Sequence, residues 1–353
     1  MTGAVLRTPQ ALIDAGLAPA GRLAELEAVA ARYAVAITPA MAELAVFEGV
    51  ARQFVPDGAE LDVRPEEMAD PIGDALHSPV EGIVHRYPDR VLLTPTHACA
   101  VYCRFCFRRE TVGPKGARGL TPAALDAALA YVAARPQIWE VIVTGGDPFI
   151  LSPRRLKALM GRLAAIPHLK VVRFHTRVPA VDPAAVTPQL VAALKSPAQA
   201  VWVALHANHP SELTPAARAA CARLIDAGLP MVSQTVLLKG VNDDPQVLGA
   251  LMRAFVETRI KPYYLHHGDL APGTAHLRTD LATGQELMRA LRGRFSGLCQ
   301  PTYVVDIPGG AGKVPVGPTY LADGQIFDPW GGAHAYADSG QSEAFAPQAS
   351  GDE

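Results

Sequence analysis

Three cysteines fall within eight residues, Cys99, Cys103 and Cys106 of the stretch Thr96-His-Ala-Cys-Ala-Val-Tyr-Cys-Arg-Phe-Cys-Phe-Arg-Arg109. Structural zinc wants four ligands, usually as two CxxC-like pairs, and the sequence has no second pair. Cys-x3-Cys-x2-Cys spacing instead suits three irons of a [4Fe-4S] cluster, since thiolates are its usual ligands. The fourth iron is then open to a small molecule, so the loop points to chemistry as well as electron transfer.

A second centre is Val304-Val-Asp-Ile-Pro-Gly-Gly-Ala-Gly-Lys-Val-Pro315. The Walker phosphate pattern fails here because Val314 follows Lys313. A lysine on small residues can also form a Schiff base with pyridoxal phosphate, provided basic groups elsewhere take the phosphate. His85-Arg-Tyr-Pro-Asp-Arg90 offers two guanidiniums and the Tyr87 hydroxyl, with the planar bidentate geometry that phosphate prefers. By itself such a segment is more often a solvated turn. Thr144-Gly-Gly-Asp-Pro148 is likewise only a turn when taken alone, its glycines supplying positive φ.

These residues need elements to position them. From residue 90 onward, β-rich runs (Val91–Leu93, Val141–Val143, Val171–Phe174, Val201–Leu205, Val232–Leu238, Pro262–Leu265) alternate with helical patterns that open on Thr-Pro, Ser-Pro or similar signals. Six strand-helix units predict a parallel sheet. No Gly-rich dinucleotide fingerprint follows the first strand, which favours a partial or complete barrel over a doubly wound sheet. The cysteines, Gly145-Gly146-Asp147, His206 and Asp269 all follow strand ends, where barrel sites are built. Residues 1–80 read as a helical N-terminal extension, 81–320 as the barrel with the lysine loop, and 321–353 as a C-terminal tail, partly disordered from Ser339.

Composition narrows the class. With 49% hydrophobic and 19% charged residues the chain has ample material for a core, and 32 Lys plus Arg against 34 Asp plus Glu give no electrostatic reason to expect nucleic acid or an anionic membrane. No apolar run of membrane-spanning length and no secretion signal appear, so a cytoplasmic protein is expected. Five cysteines, an odd number with Cys221 and Cys299 far from the cluster, argue for reduced thiols and not a disulfide framework.

Cys99/Cys103/Cys106 on the loop after a first barrel strand, followed by Gly145-Gly146-Asp147, resemble the radical S-adenosylmethionine superfamily. Together with Arg86-Tyr87-Pro-Asp-Arg90, Pro262-Tyr-Tyr-Leu-His-His-Gly-Asp269 and Asp306-Ile-Pro-Gly-Gly-Ala-Gly-Lys313, they make residues 60–320 resemble the lysine 2,3-aminomutase family within it. The resemblance implies an α/β fold, a partial (β/α)6 TIM-like barrel of the radical SAM type with the helical N-terminal extension. It implies a [4Fe-4S] cluster on Cys99, Cys103 and Cys106, and S-adenosyl-L-methionine on its open iron near Gly145, Gly146 and Asp147. His206 and Gln234 match polar positions lining the cofactor region. Pyridoxal 5'-phosphate would sit on the catalytic Lys313, with its phosphate on Arg86, Tyr87 and Arg90. Arg108 would take the substrate carboxylate, and Asp269 and Asp306 the distal ammonium.

Two aspartates beside a carboxylate tail would repel it, so a cationic amino acid is favoured over glutamate. The implied reaction is an isomerisation, moving the α-amino group of L-lysine to the β-carbon to give β-lysine. Because no side chain is basic enough to remove that β-hydrogen, the resemblance routes the reaction through a 5'-deoxyadenosyl radical. The alternatives are the same chemistry supplying β-lysine for elongation factor P, and a non-enzymatic iron-sulfur protein, which would leave Lys313 without a use. The implied partners are lysine and an electron donor to reduce the cluster, with no nucleic acid or membrane. The cysteines that hold intersubunit zinc in clostridial-type members are absent after Cys299, so zinc is not predicted and a homo-oligomer is left open.

Overall fold

Many helix starts in this chain are written as a hydroxyl or carboxylate followed by proline. The proline has no N–H to leave unpaired, and the preceding side chain accepts from the first turn. In the computed structural model, which describes residues 3–113, 119–322 and 324–336, Thr121, Ser152, Thr187, Thr214 and Asp244 cap α5 (Pro122–Ala133), α6 (Pro153–Ala164), α8 (Pro188–Leu194), α9 (Pro215–Asp226) and α10 (Pro245–Glu257) in this way. The short α7 (Val178–Val181) follows the third parallel strand, and α11 (Leu281–Leu291) precedes the last.

Among the described residues, seven parallel strands run between the helices: β2 (Arg90–Thr96), β3 (Glu140–Gly145), β4 (Val171–Thr176), β5 (Ala200–His206), β6 (Met231–Val236), β7 (Ile260–His266) and β8 (Thr302–Ile307). They neighbour one another in chain order, and antiparallel β1 (Ile83–Tyr87) and β9 (Gly312–Pro315) flank the two ends. The α/β barrel expected from the strand-helix alternation is present, with one parallel strand beyond the six read from the sequence. Thr302–Ile307 is a β-branched run, but the Pro-Gly-Gly that follows draws attention to the loop.

Apolar runs such as Val141-Ile-Val143 are buried because helices cover the outer face of the sheet, Leu129, Leu156, Leu163, Leu224, Leu251 and Phe255 packing there. On alternate positions near the strand ends, Arg173, His175, His206, Gln234, Tyr264 and His266 are only half-buried. They line the inner face.

The N-terminal helices α1 (Pro9–Asp14), α2 (Leu23–Arg32), α3 (Pro39–Leu44) and α4 (Glu48–Phe54) form a second apolar cluster. Leu12, Ile37, Met41, Val50 and Phe54 pack in it against Val101 of the cysteine loop and Val181 of α7. Residues 321–322 and 324–335, expected in the tail, hold a small antiparallel sheet of β10 (Leu321–Ala322), β11 (Gln325–Phe327) and β12 (Ala333–Ala335). The stretch from Ser339 lies outside the described residues. Among those described, no helix is long and apolar enough to cross a membrane.

Candidate active site at the barrel mouth

The cysteine loop leaves β2 and is tied down by the N-terminal segment. Tyr102 and Arg104 donate their backbone N–H groups to Ala36 (3.1 Å) and Gln53 (2.8 Å). Arg104, buried, forks onto Glu60 with contacts of 2.6–3.1 Å, Arg109 reaches the same carboxylate, and Arg109 stacks 3.5 Å above the Tyr33 ring. Burial alone would push the Glu60 carboxyl up, yet the two arginines hold it below its usual value. Among the described residues no three His, Cys, Asp or Glu side chains converge closely enough for one metal ion. The thiols still feel one another: burial first, then Asp147 and the other two thiols, raises Cys99 well above its ordinary value, and burial with Cys103 raises Cys106 to about 11. Such thiols call for added positive charge, which irons carried one to each thiolate would bring. The donor set fits a cluster of several irons.

Gly145 and Gly146 end β3 beside this loop. Gly145 has φ of 100°, and a Cβ on Gly146 would collide with the Ala98 carbonyl oxygen. Only glycine lets the two loops exchange the bonds Gly146 N–H to Thr96 (2.7 Å) and Asp147 N–H to Ala98 (2.9 Å). The Asp147 carboxylate points inward, accepting from Thr176 Oγ1 (2.7 Å), the Phe149 amide (3.0 Å) and the Arg177 amide (2.7 Å). The turn therefore offers its backbone to the mouth, while Asp147 fastens β3 to β4.

Lys313 lies across the mouth on β9, opposite Asp306 of β8 in the register. Its Nζ donates to Asp306 Oδ2, stands 3.1 Å from His266 Nδ1 and lies 5.7 Å from the Tyr264 ring centroid. Burial and the Lys313 charge depress His266 to about 4, so the ring is neutral. Against the effect of burial, His266 and Lys313 hold the Asp306 carboxyl at about 2. Asp269 is pushed up to about 7 by burial and by Asp306.

Side chains bridge the gap between the end strands. The Tyr87 hydroxyl accepts the Lys313 backbone N–H (2.7 Å), and Arg86 reaches Asp306 at 3.5 Å. Arg86 also donates to the Ile72 carbonyl, Gly309 donates to Pro71 (3.1 Å), and His77 Nε2 meets the Gly310 carbonyl at 3.0 Å. Residues 71–77 thus plug the seam.

Of the residues named from the sequence, Lys313, Asp306, Arg86 and Tyr87 meet directly, with Asp269 and Arg108 within electrostatic reach. Arg90 stands apart, pairing with Asp89 (2.7 Å) and stacking 3.9 Å from the Tyr87 ring centre, with 36% of its side chain exposed. His206, Gln234 and Tyr264 occupy neighbouring register positions on β5, β6 and β7. His206 meets Asn208 Oδ1 at 3.1 Å and packs on Phe105.

Four residues escaped the sequence reading. Asp74 pairs with Arg108 (2.8 Å) and Arg86 (3.5 Å), joining the two guanidiniums expected to hold different anions. Arg177 donates to Cys103 Sγ at 2.9 Å. His266 was legible only inside the Tyr-Tyr-Leu-His-His-Gly-Asp motif, and Glu60 carried no signal at all. Around Lys313, the buried atoms Asp74 Oδ1, Arg86 Nε, His175 Nε2 and His266 Nε2 have no hydrogen-bond partner among the described residues. Orphaned polar atoms facing one mouth fit a ligand with anionic and cationic groups.

The fold and the open-sided thiol set define the class: the Radical SAM superfamily profile matches residues 93–248, which brings a [4Fe-4S] cluster and S-adenosylmethionine as cofactors. A second profile, described as Lysine-2,3-aminomutase, matches residues 288–325. The L-lysine 2,3-aminomutase of Acetoanaerobium sticklandii is 43% identical over 81% of this chain and 70% of its own length. Those of Fusobacterium nucleatum and Clostridium subterminale are 41% and 42% identical over 77% of this chain, which spans 64% and 65% of their lengths. The chain belongs to the lysine 2,3-aminomutase family, a family of isomerases.

Proposed function

We propose that this chain is an L-lysine 2,3-aminomutase that uses pyridoxal phosphate at Lys313 and works in the cytoplasm, where its free cysteines stay reduced. The observation that carries this reading is the pairing of Lys313 with Asp306 and His266 on one bank of the mouth, with Arg108 rising from the cysteine loop on the other. When bound, the cluster with S-adenosylmethionine supplies a radical able to take an unactivated hydrogen, and pyridoxal phosphate supplies a covalent hold on the migrating nitrogen. The cluster falls to Cys99, Cys103 and Cys106, and S-adenosylmethionine to the Gly145-Gly146 backbone with His206 and Gln234. A low-potential electron donor reduces the cluster.

The chain's own residues bind, orient and exclude water. Arg86 and the Tyr87 hydroxyl stand beside Lys313 as phosphate donors, with Arg90 behind Tyr87. Arg108 presents a guanidinium to the substrate carboxylate, steadied by Asp74. Asp306, ionised, and Asp269, near neutrality, receive the distal ammonium, whose arrival favours the charged form of Asp269. Lys313 already occupies Asp306, so the substrate ammonium competes with it for that carboxylate. A glutamate side chain would bring a third anion to Asp269 and Asp306.

Anaerobic reconstitution with iron, sulfide, pyridoxal phosphate and S-adenosylmethionine, followed by chiral analysis of the lysine pool, tests the reading. β-Lysine is expected. Unchanged α-lysine from protein carrying both cofactors would reject lysine as substrate.

A further inference from the structure

Arg177 follows β4 and is buried, yet nothing in the proposed reaction uses it. Its Nη1 donates to Cys103 Sγ at 2.9 Å, while its Nη2 is held by Glu212 Oε2 at 2.7 Å and by Gln53 Oε1. The guanidinium carbon lies 4.5 Å from the Phe54 ring centre and 5.4 Å from that of Phe105, so apolar walls keep water from screening it. Glu212 is itself fixed, accepting from the Asn208 and His209 amides at 2.9 and 3.0 Å and from Gln53 Nε2 at 3.0 Å. The fork therefore cannot swing away without leaving Glu212 Oε2 short of its donor.

The geometry points to Arg177 as the residue that sets the reduction potential of the cluster through Cys103. This inference rests on the reading that Cys99, Cys103 and Cys106 hold the cluster. Reduction adds one electron, taken from the external donor, and so one negative charge, which spreads over the irons and their sulfurs. A fixed cation donating to a ligand sulfur stabilises the reduced form more than the oxidised form and raises the potential. Glu212, behind the guanidinium, works in the opposite sense. Arg177 is thus a positioning and tuning residue.

The test is a redox titration of the reconstituted full-length protein with dithionite as electron source, followed by electron paramagnetic resonance without lysine or S-adenosylmethionine. Arg177→Gln should move the midpoint to more negative potential and Glu212→Gln to more positive potential, with Arg177→Lys between wild type and Arg177→Gln. Local damage would move both neutralised variants the same way. Shifts of the same sign, or no shift, in variants with full cluster occupancy would overturn the inference. If Arg177→Gln does not fold, the order of Arg177→Lys, wild type and Glu212→Gln decides. Failure of the unaltered protein to assemble a cluster would instead reject the cluster reading itself.

Discussion

The two banks of the barrel mouth are built on different terms. On the cysteine bank, Arg104, Arg109 and Arg177 keep 2%, 4% and 6% of their side chains exposed, and Glu60 and Glu212 none. These carboxylates have protein donors on both oxygens and anchor the cysteine loop. On the lysine bank, Arg86, Asp74, Asp306 and Lys313, with Arg108 reaching Asp74 from the cysteine loop, keep 10–21% exposed. Two of their ion pairs are stretched to 3.5 Å, whereas those of Glu60 and Glu212 on the cysteine bank are 2.7 Å or shorter. On the bank proposed for the cluster, the ion pairs are short and closed to water. On the bank proposed for the substrate, two pairs are longer and the side chains are more open to solvent.

The sharpest way to break this contrast is Lys313→Ala, expected to abolish isomerisation completely while the protein still takes up its full complement of iron. Loss of both would show that the banks are not separable. Next in size is Glu60→Ala. Stranding Arg104 and Arg109 as buried, unpaired charges should cost about 3–5 kcal/mol in denaturant unfolding, whereas Asp306→Ala, on the incompletely paired bank, should cost well under half of that. Equal costs would erase the distinction.

Substrate binding should respond more mildly. Asp74→Asn loosens Arg108 without removing it, and the KM for lysine is expected to rise roughly tenfold, the order of one charge-assisted hydrogen bond, with kcat nearly kept. A matching fall in kcat would place Asp74 in the chemistry instead.

The pH response of the cofactor-free protein should be the smallest effect, because Asp269 opposes the buried histidines, His175 and His206 being depressed as His266 is. His266 has its pKa depressed to about 4, so the stability it contributes is present above its unfolded value and is lost as pH falls through 6.5 toward 4. Asp269 is raised to about 7, so its contribution is present below its unfolded value and is lost as pH rises from 4 toward 7. Asp269→Asn should therefore steepen the acid loss of stability, and His266→Gln should make it shallower between pH 4 and 6.5. The midpoint of thermal unfolding against pH reads both.

Much of this was legible in the sequence because the signals were local. Helix caps, β-branched runs and cysteine spacing each depend on a few adjacent residues, and the barrel with its rim followed from them. Tyr87 and Lys313 were named separately, and their direct bond appears only when the sheet brings its first and last strands together. Asp74, Glu60 and Arg177 were hidden for the same reason. Their partners lie 34, 44 and 74 positions away, and a lone charge in sequence looks like a solvated one. Asp147 shows the converse, since its motif was visible but its carboxylate serves the scaffold.

The central claim is that the lysine bank is the cofactor bank, and peptide mapping after borohydride reduction tests it most directly. Protein loaded with iron, sulfide and pyridoxal phosphate should carry its pyridoxyl label on the peptide containing Lys313, with iron still bound at the cysteine bank. A label on any other lysine, or none on protein that has bound the cofactor, would contradict the account.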